Sequence, residues 1–173
     1  MTSTPRSGGA DAAAEVVRRL TAAHLTVAVA ESLTGGRVMA ALVDIPGASA
    51  VVRGGVVAYA TPLKSSLLGV DAGLLAARGP VDPAVAAAMA EGVRLAAAIG
   101  EAWADIGLAT TGVAGPDAQG DAPVGLVFVA VADDAGTEVR ELRLDGDRDS
   151  IRDAAAGAVL ALLLERLADA SQS

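Results

Sequence analysis

Residues 26–43 read TVAVAESLTGGRVMAALV, a strand-type apolar run, a polar glycine-containing turn and a helical repeat in immediate succession. Thr26 to Ala30 is too short and too apolar for a surface helix and reads as a buried strand. Glu31-Ser32-Leu33-Thr34-Gly35-Gly36 ends that strand, and Val38, Met39, Leu42 and Val43 then recur at helical spacing until Pro46-Gly47 stops the pattern. On the N-terminal side, Asp11 is positioned to cap a helix carrying Val16, Val17 and Leu20, which gives way near His24 and Leu25. On the C-terminal side, Gly55 to Ala60 reads as a second strand, and Thr61-Pro62 supplies a cap followed by a proline at the first helical position of a helix ending at Gly69. Asp71 opens a short helix, and Asp82-Pro83 opens a long alanine-rich one expected to stop at Gly100, with Glu91 and Arg94 outward. Strand-type segments follow at 106–110, 124–132 and 138–144, the last pair joined through Asp133-Asp134-Ala135-Gly136 as a hairpin. A final helix starts at Asp147 and turns Ile151, Ala155, Ala158 and Leu162 inward. Early alternation of strand and helix, closed by a hairpin, predicts an α/β fold: a three-layer α/β/α sandwich around a mixed sheet of about five strands. A single domain over 11–168 is expected, with a disordered lead-in at 1–10 and a disordered tail at 169–173.

Composition narrows the chemistry. The chain has 173 residues, 53% hydrophobic, with one each of Trp, Tyr, Phe and His and no cysteine. Disulfides, thiolate nucleophiles and cysteine-ligated metals are excluded, and so is a multi-histidine metal cage. The scattered carboxylates Glu31, Asp44, Asp117 and Asp121 form no recognised ligand spacing and read as solvated groups, so neither a metal nor a cofactor is expected. The core must rest on Ala, Val and Leu, whose small side chains permit close layers. Asp and Glu outnumber Lys and Arg by 21 to 13, a net charge of −8, which opposes nucleic-acid phosphates and anionic lipid. The longest stretch free of polar residues, Ala154 to Leu164, falls short of the ~20 residues of a membrane span, and residues 1–10 lack a signal peptide's apolar core. A cytoplasmic protein acting on a small molecule, without nucleic-acid or membrane partners, is the expectation; a homodimer would cover any apolar patch such a chain leaves exposed.

Four segments could carry chemistry. In 31–36, Ser32 stands beyond a strand end, and backbone N–H groups around Thr34, Gly35 and Gly36 could face an anionic group or the oxyanion of acyl transfer, although Ser32 or Thr34 could equally be a plain helix cap. In 59–64, the sole tyrosine, Tyr59, precedes Lys64 on a helix's first turn, where the dipole disfavours a cation and eases access to the neutral amine; a half-buried tyrosine and a solvated lysine are the competing reading. In 110–117, Thr111, Gly112 and Gly115 form a strand-to-turn junction able to approach a ligand closely, or a simple turn. The stretch 112–123 is also longer than the usual connection of about 4–6 residues, as functional loops often are. In 146–152, Arg148 and Arg152 stand four residues apart, a fork able to hold a phosphate unless they pair locally with Asp149 and Asp153. His24, near a helix end, reads as structural.

Taken together and in this order, these segments resemble the CinA C-terminal domain family. ESLTGG is similar to that family's ESCTGG, and DIPGASAVVRGGVVAYATPLKSSLLGV to its DIPGAS…GGVVAYSNEAK…LLGV. TTGVAGP, PVGLVFVAVA and GDRDSIR match further blocks, and the similarity spans Asp11 to Leu167. The resemblance implies a three-layer α/β fold in single-domain form and hydrolysis of the carboxamide of nicotinamide mononucleotide to nicotinic acid mononucleotide and ammonia. By it, Ser32 is the nucleophile, Lys64 and Tyr59 are base and proton-relay candidates, Thr111 and its turn orient the substrate, and Arg148 with Arg152 hold the phosphate. This chain departs from the family at Leu33, where cysteine is usual, at Ala60-Thr61-Pro62 in place of Ser-Asn-Glu, at Asp82 in place of serine, and at Asp117-Ala118-Gln119 within the usual GPGG. A catalytically silent nucleotide-binding module, or the same machinery turned to another nucleotide amide, is the alternative.

Overall fold

Valine and alanine alternate in Val27-Ala28-Val29-Ala30, and again, after Val127-Phe128, in Val129-Ala130-Val131-Ala132. Successive side chains of a strand point to opposite faces, so this alternation gives the sheet one bulky face and one small one. A computed structural model describes the backbone of residues 8–170 and the side chains of 11–169. The elements are α1 (Gly8–Ala23), β1 (Val27–Glu31), α2 (Arg37–Val43), β2 (Val52–Val57), α3 (Thr61–Leu68), α4 (Ala72–Arg78), α5 (Pro83–Ala96), β3 (Ile106–Gly112), β4 (Leu126–Asp133), β5 (Gly136–Arg143) and α6 (Arg148–Ala170), with one 3₁₀ turn at Ala48–Ala50. The strands form one mixed sheet in the order β2-β1-β3-β4-β5, with β1 parallel to β2 and β3 and the remaining pairs antiparallel. This is the three-layer α/β/α architecture expected from the sequence.

The bulky face packs Val27, Val29, Leu108, Val127, Val129 and Val131 against α1, α2 and α6. Ile151, Ala155 and Leu162 of α6 are buried there as its periodicity predicts, with Ala158 half-buried. The small face sets Ala28, Ala30, Ala109, Ala130 and Ala132 against α3, α4 and α5. Here the layers nearly touch. A Cβ at Gly107 of β3 would lie 1.9 Å from the Ala90 carbonyl oxygen of α5, and one at Gly92 of α5 would lie 1.8 Å from that of Leu68. Gly107→Ala or Gly92→Ala is therefore expected to cost about 3 kcal/mol or more, because rigid backbone must move. Gly157, inside α6 with nothing within 4 Å of its ideal Cβ, is the control: Gly157→Ala is expected to stabilise by about 0.5–1 kcal/mol. Urea unfolding of the three variants checks both signs.

Several boundaries differ from expectation, each for a local reason. Gly8 to Ala10 form the start of α1, so Asp11 lies in its first turn and does not cap it, and α6 continues through Ala170. The rest of the expected lead-in and tail, 1–7 and 171–173, lies outside the described residues. Strand β2 spans 52–57 because it follows the register of β1, leaving Tyr59 beyond the strand end. The cap of α3 is Ala60, with Thr61 and Pro62 already helical. Asp71 and Asp82 do cap, accepting from the amides of Leu74 and Ala84 at 2.7 Å each. Helix α5 stops at Ala96, short of Gly100, because the chain folds back on Arg94: Ala104 N–H donates to the Arg94 carbonyl and Arg94 Nε donates to the Ala104 carbonyl. Arg94 is accordingly 12% exposed and not outward. No helix among the described residues is long and apolar enough to cross a membrane. Apolar side chains exposed at the surface include Val57 of β2, Leu63 and Leu67 of α3, and Leu95 in the last turn of α5 with Ile99 and Trp103 after it.

Candidate active site

In an open α/β sheet, ligands gather beyond the carboxyl ends of parallel strands, where successive connections leave in opposite directions. In this sheet that point is the end of β1, flanked by β2 and β3. The register aligns Glu31 with Val57 and with Thr110, so Ser32 and the segment after Val57 leave the sheet at the level of Thr111, where β3 continues against β4 alone. A cavity of about 240 Å³ opens there, lined among others by Ser32, Leu33, Tyr59, Lys64, Thr111 and Arg148.

Glu31, expected to be solvated, is 1% exposed. Its Oε2 accepts from the amides of Gly36 (2.9 Å) and Val38 (3.1 Å), and its Oε1 from that of Met39 (2.9 Å). These are orphan donors at the start of α2, whose N-cap Gly36 has no side chain to satisfy them. The carboxylate thus holds the turn between β1 and α2 from beneath. The turn is tightened further by Gly35 N–H donating to the Ser32 carbonyl at 3.1 Å and by Ser32 N–H donating to the Thr110 carbonyl at 3.0 Å. Thr34, fully buried, hydrogen-bonds through Oγ1 to Thr110 Oγ1 at 2.7 Å. Two of the amides expected to serve as oxyanion donors, those of Gly35 and Gly36, are therefore committed internally. The amide of Leu33, whose residue lines the cavity, donates to no protein group among the described residues.

Lys64 is the most unusual side chain in the structure. It sits on the first turns of α3, yet it is 1% exposed, and no acidic side chain pairs with it among the described residues. Its Nζ donates to Met89 Sδ at 3.4 Å and to Thr111 Oγ1 at 3.5 Å, while Thr111 in turn donates to the Pro80 carbonyl at 2.7 Å. Burial without a counter-charge lowers its pKa from the ordinary lysine value to about 8. The sequence attributes such a shift to the helix dipole; desolvation is the cause found.

Tyr59 is 62% exposed at the rim, its hydroxyl accepting from Arg148 Nη2 at 3.0 Å. Arg148 also donates through Nη1 to the Gly115 carbonyl at 2.5 Å, tying α6 to the loop after β3. That loop is an extended hairpin and not free coil: Val113 N–H donates to the Leu126 carbonyl, Gly125 N–H to the Val113 carbonyl, and Gln119 pairs with Ala122. Gly112 is needed for space, since a Cβ would meet the Leu126 carbonyl at 2.7 Å. Gly115 is needed for its φ of +85°.

The structure thus gathers Ser32, Tyr59, Lys64, Thr111, Gly112, Gly115 and Arg148 around one cavity. It leaves Thr34, Gly35, Gly36 and Arg152 outside the lining. Arg152 donates from Nε to the Leu33 carbonyl (2.8 Å) and from Nη2 to the Thr34 carbonyl (3.1 Å), and so does not join Arg148 in an open fork. His24 is exposed at the end of α1 with φ of +56°, away from the cavity. Among the described residues no group of His, Asp and Glu could hold a metal ion. Glu31, which supports the turn that carries Ser32, is the residue the sequence reading does not single out; its signal is an acid ending a strand just before a helix whose N-cap, Gly36, has no side chain.

The model of the CinA C-terminal domain matches residues 9–167. A CinA-like protein of Frankia casuarinae is 51% identical over 163 residues, covering 93% of this chain and 36% of the relative. A putative competence-damage inducible protein of Desulforamulus reducens is 50% identical over 80% of this chain and 32% of the relative. The chain therefore spans about a third of the length of these curated relatives. Among solved structures, the competence/damage inducible protein CihA from Agrobacterium tumefaciens superposes with a TM-score of 0.86 at 34% identity, over 95% of this chain and 98% of that one.

Proposed function

This chain belongs to the CinA C-terminal domain family, and on that footing we propose that it is an amidohydrolase converting nicotinamide mononucleotide to nicotinic acid mononucleotide and ammonia. The observation that carries this reading is a buried, unpaired Lys64 whose amine is readily neutral, opening on the same cavity as Ser32. A desolvated lysine without a counter-charge is costly to the fold, and such groups cluster where a base is needed. With no cysteine in the chain and His24 far from the cavity, serine with lysine is the nucleophile–base pairing the residues offer.

The steps balance on groups already described. Ser32 Oγ attacks the carboxamide carbon as its proton passes to the neutral Lys64 amine, with the Thr111 hydroxyl holding Nζ in position. The oxyanion that forms takes the Leu33 amide as a donor, an interaction worth a few kcal/mol of barrier in such sites. The C–N bond then breaks as the departing nitrogen takes up the proton held by the Lys64 ammonium, relayed through the Tyr59 hydroxyl that Arg148 orients, which returns Lys64 to its neutral form. Ammonia leaves and an ester remains on Ser32. Lys64 next takes a proton from a water that attacks the ester carbon and passes it to Ser32 Oγ as the C–O bond to Ser32 breaks, so that the acid product, which ionises to the carboxylate, leaves with Ser32 and Lys64 restored. Arg148 supplies positive charge for the phosphate, while Asp117, also on the lining, supplies negative charge for the pyridinium ring.

The purified chain is expected to release one ammonia per nicotinamide mononucleotide consumed. Because the reactive form of Lys64 is the neutral one, kcat/KM should rise about tenfold per pH unit and level off above pH about 8. Thermal stabilisation by the nucleotide without any ammonia would instead assign the chain a silent binding role.

A further inference from the structure

We infer that Arg152 is a positioning residue that clamps the Ser32–Thr34 turn from behind, rather than a ligand for the substrate's phosphate; the inference rests on the amidohydrolase reading above.

All of its guanidinium nitrogens are engaged away from the cavity. Nε holds the Leu33 carbonyl at 2.8 Å, Nη2 holds that of Thr34 at 3.1 Å, and Nη1 faces Asp149 Oδ1 at 3.7 Å. The guanidinium lies against Gly35, where an added Cβ would meet Nη2 at 2.9 Å and where φ is +56°. Asp149 also accepts from Arg37 Nη2 at 3.0 Å, and Arg37 Nε pairs with Asp153 at 3.1 Å, so the clamp is anchored on the start of both α2 and α6.

In a trans peptide the N–H points opposite to the carbonyl before it, so fixing a run of carbonyls fixes the amides that alternate with them. Here the Ser32 carbonyl is held by Gly35 N–H, that of Leu33 by Arg152, and that of Thr34 by Arg152 and by Arg37 N–H at 3.3 Å. The consequence is a rigid peptide frame carrying both Ser32 Oγ and the Leu33 amide. Glu31 holds the same turn from its helix side through Gly36, Val38 and Met39, so an anion and a cation grip it at opposite ends. Arg148, one turn earlier on α6, differs in lining the cavity directly.

The test compares Arg152→Met, Arg152→Lys and Arg148→Met with the wild type, with thermal unfolding as the check on folding. A clamp lowers kcat by roughly a hundredfold in Arg152→Met, in equal measure for nicotinamide mononucleotide and for nicotinamide riboside, which lacks the phosphate. It leaves the Kd for nicotinic acid mononucleotide within about twofold of wild type, whereas Arg148→Met weakens that Kd tenfold or more. Arg152→Lys, able to keep one of the two carbonyl bonds, recovers part of kcat. Labelling of Ser32 by a fluorophosphonate should slow in Arg152→Met in proportion to kcat, and this readout does not require turnover. If the wild type labels at Ser32 but releases no ammonia, the substrate reading fails and the labelling rates still judge the clamp. A loss confined to the phosphorylated substrate, a tenfold weaker nucleotide Kd in Arg152→Met, or unchanged kcat and labelling in folded Arg152→Met or Arg152→Lys would overturn it.

Discussion

Ser32→Ala is expected to reduce ammonia release from nicotinamide mononucleotide by at least about 10³-fold while leaving unfolding within about 0.5 kcal/mol of wild type. The kinetic half follows from removing the atom that forms the covalent bond, since deleting a nucleophile in a serine hydrolase leaves only the residual catalysis of binding and oxyanion contacts. The stability half follows from the fold: the turn is held through backbone atoms and through Glu31, Thr34 and Arg152, and among the described residues no bond to Ser32 Oγ contributes. Substrate affinity should therefore survive, and nicotinic acid mononucleotide should still raise the melting temperature of the variant. Ammonia assays paired with thermal unfolding check the two halves together, and full activity in a folded Ser32→Ala protein would sink the serine mechanism.

Lys64→Met is expected to move activity and stability in opposite directions. Removing the base should abolish measurable turnover, while replacing a buried, unpaired amine by an apolar chain of similar length should stabilise the protein. The sign follows from linkage. The folded pKa of about 8 lies below the unfolded value of 10.5, so between these pH values the unfolded chain binds the extra proton and stability rises with pH. Lys64 therefore costs the fold most below pH about 8, and the cost fades as pH approaches the unfolded value. The size of the shift corresponds to roughly 3 kcal/mol at neutral pH. Urea midpoints for wild type and Lys64→Met should differ most near pH 7 and converge toward pH 10. A variant less stable than wild type at pH 7 would show that the methylene stem and its contact with Met89 outweigh the desolvated charge.

The sequence carried the architecture further than it carried the site. Strand–turn–helix at 26–43, the aspartate–proline cap at 82–83 and the hairpin at 133–136 are local signals, and each appears as expected because propensity, turn chemistry and packing agree there. Tertiary pairing set what local pattern could not. Strand β2 begins at Val52 because β1 dictates its register, and α5 ends early because Arg94 is held by Ala104. At the site, the resemblance brought forward Ser32, Tyr59, Lys64, Thr111 and Arg148, which do line one cavity. Burial was illegible: nothing in Tyr-Ala-Thr-Pro-Leu-Lys marks Lys64 as 1% exposed, since that depends on Met89 and Thr111 arriving from other elements. The spacing of Arg148 and Arg152 suggested one phosphate fork, yet the turn after β1 reaches Arg152 first and takes its donors. Glu31 departs from its expected solvated role for a like reason, because its partners are the first backbone amides of a helix whose N-cap, Gly36, has no side chain.

We propose for this cavity an oxygen nucleophile with a lysine base, Ser32 and Lys64 on one lining, in a chain with no cysteine and with its single histidine off that lining. That claim is tested most directly by acid-quenching the wild-type protein during turnover of nicotinamide mononucleotide and measuring intact mass, followed by peptide mapping. The account predicts an added mass equal to the substrate less ammonia, carried by the peptide containing Ser32 and absent from Ser32→Ala. Steady turnover with the adduct on any other residue would contradict it.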